Sequence, residues 1–224
     1  DGNTISGEAP DHGGGAIYCR RGSLTLRNGI GFTANTANEG FATGGALHVS
    51  NGSELRIDTC TFADNEASRG GGAIADASGP NHTTHISESN FTGNLASGTL
   101  GAGGAIHLSG GGSLSALGTS FSGNQASVKG GAIWTGLSEI IVAESMFTEN
   151  VANGTENIEG GGAIYNNGGT VELVRISAFN HEGTHNGGVV YNQAGILKVR
   201  HSTFSANSCT AGAISMGECQ RGAR

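Results

Sequence analysis

The sequence predicts an all-β protein: a right-handed parallel β-helix of about eight coils with three short strands in each. Three observations predict this fold. A Gly-Gly-Ala-Ile phrase recurs about every 28 residues, a Phe-x-x-Asn phrase alternates with it, and 42 of the 224 residues are glycine while only 2 are proline. Helical repeats are excluded because each glycine would cost a helix roughly 1 kcal/mol.

The glycine phrase marks the first strand of each unit. Its apolar fourth residue, such as Ile17, must point into the helix, and the next residue then points outward because side chains alternate along a strand. The hand follows from the right-handed preference of crossovers between parallel strands. Good copies begin at Gly14, Gly44, Gly71, Gly103, Gly130 and Gly161, and looser copies begin at Gly187 and Ala211.

Two further strands follow in each unit. In the second strand, apolar and polar residues alternate, and the inward pairs are Leu24/Leu26, Leu55/Ile57, Thr84/Ile86, Leu114/Ala116, Ile140/Val142, Val171/Leu173 and Leu197/Val199. The third strand leads into Phe-x-x-Asn. Its copies are Phe32/Asn35, Phe62/Asn65, Phe91/Asn94, Phe121/Asn124, Phe147/Asn150 and Phe204/Asn207, with Phe179/Glu182 as the degenerate member.

Equivalent residues of successive coils should form columns, because each strand pairs with its counterpart one coil above at about 4.8 Å. We expect Phe62, Phe91, Phe121 and Phe147 to form one interior stack. A mostly small and hydroxylic column should lie two residues earlier, at Ile30, Cys60, Ser89, Thr119, Ser145, Ser177 and Ser202. The asparagines should form a further column at a tight corner, where each takes the left-handed conformation and pairs with the amide above.

The corner between Asn and the next Gly-Gly varies in length. The separations are 9, 6, 9, 6 and 11 residues in the first five units, so long and short corners alternate. Long corners on every second coil would form a ridge along one edge, and loops on rigid scaffolds commonly bind partners. The alternative is that this edge simply tolerates insertions.

The outward column next to the first strand is rich in aromatic rings. In order it reads Tyr18, His48, Ala75, His107, Trp134, Tyr165, Tyr191 and Ser215. We predict a binding or assembly face made of His107, Trp134, Tyr165 and Tyr191, together with Tyr18 and His48. The face could bind a sugar or protein, could be covered by a neighbouring rod or by the long corners, or could reflect strand propensity alone.

Charge and cysteine content narrow the class of partner. A net charge of −7 and scattered basic residues argue against nucleic acid and anionic membranes. The sequence has no apolar signal segment, and we expect no membrane insertion. No cofactor and no metal site are predicted, since the cysteine spacing matches no zinc motif. Cys209 and Cys219 are the preferred disulfide pair, while Cys60 is expected to be a free buried thiol.

Catalysis is not expected, although many β-helices cleave acidic polysaccharides. Hydrolysis needs converging carboxylates, and elimination needs a calcium site with a basic residue. Glu88 and Glu144 share a column but lie two coils apart, with Gly118 between them. His48 and His107 are likewise separated by Ala75, about 9.6 Å by strand spacing, which is too far to share a metal.

The paired phrases, alternating from Gly13 to Met216, resemble the repeats of the chlamydial polymorphic outer membrane proteins. The resemblance implies a β-helical passenger that acts as an adhesin at the cell surface. Glu182 and Ala211 depart from the motif, so the last two coils are expected to be distorted.

We therefore predict one domain over residues 1–224, either a segment of a longer array or a subunit of an assembly whose open ends stack on identical neighbours. Its predicted function is that of a non-catalytic extracellular or cell-surface scaffold for adhesion or surface assembly. The expected partner is a protein or glycan at a cell surface, or copies of itself. The alternative is a carbohydrate-binding or polysaccharide-cleaving β-helix.

Overall fold

The computed structural model of the chain describes residues 2–5 and 13–216, apart from 53 and 157. Within these residues the strands form three sheets, and strands of neighbouring coils pair in parallel, as Ile74 pairs with Ile106. The prediction of an all-β parallel β-helix is therefore confirmed. In the described part of the chain six coils are complete and two partial coils follow toward the C-terminus, compared with about eight predicted.

The two strands that follow each glycine corner belong to a single 13-stranded sheet. The first strands are Ile17–Arg20, Leu47–Ser50, Ile74–Ala77, Ile106–Leu108, Ile133–Thr135 and Ile214–Met216. The second strands are Leu24–Leu26, Glu54–Asp58, Thr83–Ser87, Ser113–Leu117 and Glu139–Ala143. In the sixth and seventh coils the first and second strands merge into the continuous strands Ile164–Val174 and Val190–Arg200.

The other two sheets each contain seven strands. The phenylalanine sheet consists of Gly31–Thr33, Thr61–Ala63, Asn90–Thr92, Ser120–Ser122, Met146–Thr148, Ser177–Phe179 and Thr203–Ser205. The remaining sheet consists of Thr4–Ile5, Thr36–Ala37, Glu66–Ala67, Leu95–Ala96, Gln125–Ala126, Val151–Ala152 and Glu182–Gly183. Each strand of this last sheet has two residues and is a fourth strand in its coil, in addition to the three predicted. Such a strand is too short to show an alternating sequence pattern.

The phenylalanines form the predicted interior stack. The rings of Phe62, Phe91, Phe121 and Phe147 are fully buried, and neighbouring centroids are 4.8 to 5.1 Å apart. Phe32 continues the stack at 4.8 Å from Phe62. The planes of neighbouring rings lie within 12° of parallel, which is the geometry that equal register along a column imposes.

The asparagines form the predicted ladder, with each side-chain amide bonded to the next coil. Asn124 donates from Nδ2 to Oδ1 of Asn150 at 2.9 Å and to the carbonyl of Phe91 at 3.0 Å. Its own Oδ1 accepts from both the backbone N–H and Nδ2 of Asn94. The predicted backbone conformation is wrong, because the residue before each asparagine takes the positive φ, as at Gly123 (62°).

The glycine phrase is explained by two backbone constraints. Gly130 adopts a φ of 63°, in the left-handed region that side chains disfavour. A Cβ on Gly131 would lie 2.1 Å from the carbonyl oxygen of Gly162 in the next coil. The first glycine is thus required by its conformation and the second by the close approach of neighbouring coils.

The sixth copy of Phe-x-x-Asn in chain order, the degenerate Phe179/Glu182, does not have the register that its sequence suggested. Phe147 pairs with Ala178, and Thr148 pairs with Phe179, so Phe179 is displaced by one residue from the stack. The residue that joins the asparagine ladder is His181, not Glu182. In the column two residues before the phenylalanine stack, the buried residue of this coil is therefore Ile176, and Ser177 is exposed.

The small column in front of the phenylalanines uses its hydroxyls between coils. Ser89 Oγ accepts a hydrogen bond from the backbone N–H of Cys60 at 3.0 Å, and Ser145 Oγ accepts one from that of Thr119 at 3.1 Å. Cys60 is buried and free, as predicted, and its burial raises the pKa of the thiol. Cys219 lies outside the described residues, so its pairing with Cys209 stays a prediction.

Candidate functional site

The outward residues of the first strands lie in the predicted order. Strand register joins Tyr18 to His48, then His48 to Ala75, and Ala75 to His107. It continues from His107 through Trp134, Tyr165 and Tyr191 to Ser215. We call this set the ring column. The parallel ladder fixes its spacing at about 4.8 Å per coil.

Accessibility differs along the ring column. Tyr18 is 41% exposed, and His107 and Trp134 are half-buried. Tyr165 is fully buried and Tyr191 is buried. The four consecutive coils from His107 to Tyr191 therefore do not present an open aromatic surface. His48 is also buried, so the rings of the column that solvent reaches are those of Tyr18, His107 and Trp134.

The rings associate in three pairs. Tyr18 stacks on His48 at 5.2 Å between centroids, and His107 stacks on Trp134 at 4.4 Å with planes 9° apart. Tyr165 and Tyr191 meet edge to face at 5.3 Å and 82°. The first two pairs follow the parallel register, while the third pair is tilted because a corner loop covers it.

The long fifth corner covers Tyr165. Its hydroxyl oxygen lies 2.8 Å from the carbonyl oxygen of Ile158 and also contacts Oε1 of Gln193, and its single proton is donated to one of these two acceptors at a time. The ammonium of Lys129 lies 5.2 Å from the ring centroid, within range of a cation–π interaction. Burial, with a smaller contribution from Tyr191, raises the pKa of Tyr165. At this coil the ring column is covered by the chain's own loop, one of the alternatives that the sequence left open.

The tips of the three longest corners each present an exposed apolar side chain. These are Phe41, Leu100 and Ile158. They lie on alternate coils, as the alternation of corner lengths indicates. The guanidinium of Arg69, in the short corner between the first two tips, lies 5.3 Å from the Phe41 ring centroid.

A cleft of about 440 Å³ opens where Ala75 interrupts the ring column. We call it the Ala75 cleft. Ala75 and Ala77 line it, as do His48 of the coil below and the stacked His107 and Trp134 of the coils above. A ring at position 75 would fill this space, and the small side chain leaves it open.

Two cations line the Ala75 cleft and no carboxylate does. Arg69 and Lys129 come from the two short corners, and neither forms an ion pair within the described residues. The pKa of His107 is lowered to about 4, first by burial and then by the positive charges of Arg69 and His48. His107 is therefore neutral at pH 7, and the cleft carries positive charge in a protein of net charge −7.

A buried polar cluster inside the third coil was missed by the sequence analysis. His82 Nε2 lies 2.8 Å from Oδ2 of Asp76, which also accepts a hydrogen bond from Thr84 at 2.7 Å. Burial would raise the pKa of Asp76, but its bond to His82, the charge of His82 and further donors lower it. Parity could have found the cluster, because Asp76 follows the inward Ile74 by two residues.

The other ion pairs among the described residues lie on the exterior of the rod. Glu144 pairs with Arg175 of the next coil on the exterior. In the described part of the chain, no group of three or more His, Cys, Asp or Glu residues is placed to hold a metal ion. Across the same residues, no helix has the length and apolarity needed to cross a membrane.

Comparison with known proteins identifies the repeat. Residues 59–76 and 118–136 match the model of the Chlamydia polymorphic membrane protein (Chlamydia_PMP) repeat. Each segment contains one Phe-x-x-Asn phrase, one six-residue corner and one Gly-Gly-Ala-Ile phrase, so the matched units are the two with short corners. Searches of curated proteins and of solved structures find no significant match. The resemblance to this repeat is confirmed, and the parallel β-helix agrees with it.

Proposed function

We propose that this protein is a non-catalytic scaffold at the cell surface or outside the cell, where it adheres to a protein or glycan partner. The repeat type and the fold support a surface-protein scaffold. The observation that carries the adhesive role is the ring column. Its side chains are ordered by strand register. Tyr18, His107 and Trp134 stay partly accessible, and the last two border an open cleft.

The internal columns that stabilise the rod are separate from the accessible rings of the ring column. The phenylalanine stack lies on another sheet from the ring column, and the asparagine ladder lies at a corner between strands. The accessible rings of the column, such as Trp134, can therefore vary while the rod keeps its shape. A rigid array with a variable outer column suits recognition, because little conformational entropy is lost when a pre-ordered surface binds.

The arrangement of acidic residues favours binding over cleavage. The closest carboxylate–imidazole pair, Asp76 with His82, is buried inside the coil, where a polysaccharide in solvent cannot reach it. A glycan-binding role has one specific observation in its favour, the cationic and aromatic lining of the Ala75 cleft.

Adhesion can be measured with beads coated with the 224-residue chain and incubated with cultured animal cells. Control beads carry an unrelated acidic protein at equal density. We expect several-fold more attached beads for this chain, and equal attachment would contradict the adhesive role. A parallel assay for unsaturated or reducing ends released from acidic polysaccharides should stay at background, and sustained release would contradict the non-catalytic role.

A further inference from the structure

We propose that the Ala75 cleft is a binding site for an acidic saccharide, whose carboxylate or sulfate groups pair with Arg69 and Lys129 and one of whose rings packs beside Trp134. This inference rests on the adhesive function proposed above and names the chemical class of its ligand. Nothing in the repeat pattern indicates it, because the contributing residues lie in separate coils.

The shape of the cleft suits a sugar unit. Its volume of about 440 Å³ lies within the range of roughly 300–1,000 Å³ typical of small-molecule sites. The small side chains of Ala75 and Ala77 form one side of the cleft. Both residues lie on the first strand of the third coil, which pairs in register with the strands on either side. The stacked pair of His107 and Trp134 borders the cleft on the next two coils. A flat, ring-sized ligand can therefore lie along the sheet between two sets of rings.

The charges are placed for an anion. Strand-like bridges join Gly70 to Ala102 and Ala102 to Lys129, so Arg69 and Lys129 are about two coils apart, or about 9.6 Å by strand spacing. Their side chains lie over rings on opposite sides, so an acidic saccharide that spans the cleft could place one anionic group at each cation. Neither cation has a carboxylate partner within the described residues, although the protein has more acidic than basic residues. Two unpaired cations in one cleft are therefore available to a ligand.

Arg69 and Lys129 are also held in place. Arg69 lies over the ring of Phe41 and Lys129 over the ring of Tyr165, at 5.3 and 5.2 Å from the centroids. These contacts restrict two long side chains before any ligand arrives. Less side-chain entropy is then lost on binding, which favours affinity.

A saccharide fits the remaining lining better than an acidic peptide does. Thr43 and Ser109 supply hydroxyls at the rim, and the neutral His107 offers a ring nitrogen that can donate or accept. Hydroxyl-rich rings use many such neutral partners, and their C–H faces pack on aromatic side chains. A glutamate side chain would use the cations but would leave the hydroxyls and Trp134 without a matching group.

Trp134 is the only tryptophan, so its fluorescence reports directly on the cleft. The full chain would be titrated with a sulfated heparin disaccharide, with digalacturonate as the carboxylated ligand, and with cellobiose as the uncharged control. Short polyglutamate tests the acidic-peptide alternative. We expect a saturable change with at least one acidic disaccharide and none with cellobiose, and affinity should fall as salt screens the charges.

Two variants separate the site from bulk charge. The double change Arg69→Gln and Lys129→Gln should weaken binding about tenfold or more, because a charged hydrogen bond contributes about 1.5–3 kcal/mol. The double change Arg27→Gln and Lys198→Gln alters net charge equally at exposed positions and should leave affinity unchanged. Ala75→Tyr, which places a ring in the gap, should block binding without removing a charge. Circular dichroism confirms that each variant is folded.

The outcomes are distinct. Absence of binding by both acidic disaccharides, equal loss in both double variants, or stronger binding of polyglutamate would each overturn the acidic-saccharide site. If beads coated with the unaltered chain still adhere to cells after such a result, the adhesive function stands with another ligand. If the disaccharide binds but the beads do not adhere, the site stands and the adhesive function fails.

Discussion

The imidazole of His181 takes the place of an amide in the asparagine ladder: its Nδ1 accepts a hydrogen bond from the backbone N–H of Asn150 at 2.9 Å. On the other side, the backbone N–H of His181 donates to Oδ1 of Asn207 at 3.0 Å. The ladder therefore continues through a coil that lacks the asparagine. The substitution also introduces a buried titratable group, whose Nε2 has no hydrogen-bond partner in the described structure.

Stability should depend on pH through His181. Burial lowers its pKa from the ordinary 6.5 to about 4. Between these values the unfolded chain binds a proton that the folded chain does not, so stability falls as pH decreases from about 6.5 to about 4 and levels off below. The full loss is about 3 kcal/mol. His181→Asn should restore the amide and remove this part of the pH dependence.

Urea unfolding at several pH values would measure this effect. His107, whose pKa is lowered in the same direction, remains in the His181→Asn variant and keeps its own share of the slope. An unchanged slope in the variant would show that His181 is not held neutral in the folded state. His85→Asn, at a half-buried position outside the asparagine ladder, is the matched control.

The phenylalanine stack should dominate core stability. Phe121→Ala removes a fully buried ring that stacks on two others, and we expect a loss of about 3–5 kcal/mol in the free energy of unfolding. Phe41→Ala, at an exposed loop tip, should cost less than about 0.5 kcal/mol. Chemical denaturation of both variants gives the comparison. Equal losses would contradict the assignment of the stack to the interior.

The asparagine ladder should be as sensitive as the apolar core. Asn124→Ala removes a side chain that donates two hydrogen bonds and accepts two, and it leaves Asn94 and Asn150 with unmatched buried groups. We expect a loss of about 3 kcal/mol or more, since each unsatisfied buried group costs about 1–3 kcal/mol. The exposed Asn38→Ala is the control and should be near neutral. A near-neutral result for Asn124→Ala would refute a stabilising role for the ladder.

Two rings of the same column should behave differently. Tyr165 is fully buried under the fifth corner, so Tyr165→Ala should cost about 3–5 kcal/mol. Trp134 is half-buried and stacks on one ring, so Trp134→Ala should cost only about 1–2 kcal/mol. Thermal unfolding of the two variants tests the difference. The reverse order would mean that Trp134, not Tyr165, belongs to the core.

Repetition explains how much of this fold could be predicted from sequence. Because side chains alternate along a strand, the phrase Gly-Gly-Ala-Ile predicted that Ile74 points inward and Ala75 outward. The Phe and Asn columns followed because equivalent residues of successive coils pair in the same register. The same reliance on the sequence phrase caused the error in the sixth coil, where Phe179 matched the phrase but Ala178 matched the register. The left-handed backbone conformation was assigned to asparagine because asparagine tolerates it better than most residues. In the structure the residue before each asparagine adopts it instead.

The candidate site was harder to predict because it depends on contacts between coils. The ring column was predicted from parity, yet the burial of Tyr165 depends on where the fifth corner folds. Arg69 and Lys129 are 60 positions apart in sequence and belong to no motif, so nothing indicated that they share a cleft. Both residues lie in short corners, and they line the same cleft although they are two coils apart.

Adhesion by the Trp134→Ala chain tests the central claim most directly. Beads coated with the unaltered chain, with Trp134→Ala or with the control Ile141→Ala would be compared on cells at equal density. Ile141→Ala removes an exposed side chain from the second strand of the same coil, outside the ring column. The account predicts several-fold weaker attachment for Trp134→Ala alone, with both variants folded at the assay temperature. Undiminished attachment of a folded Trp134→Ala chain would contradict it.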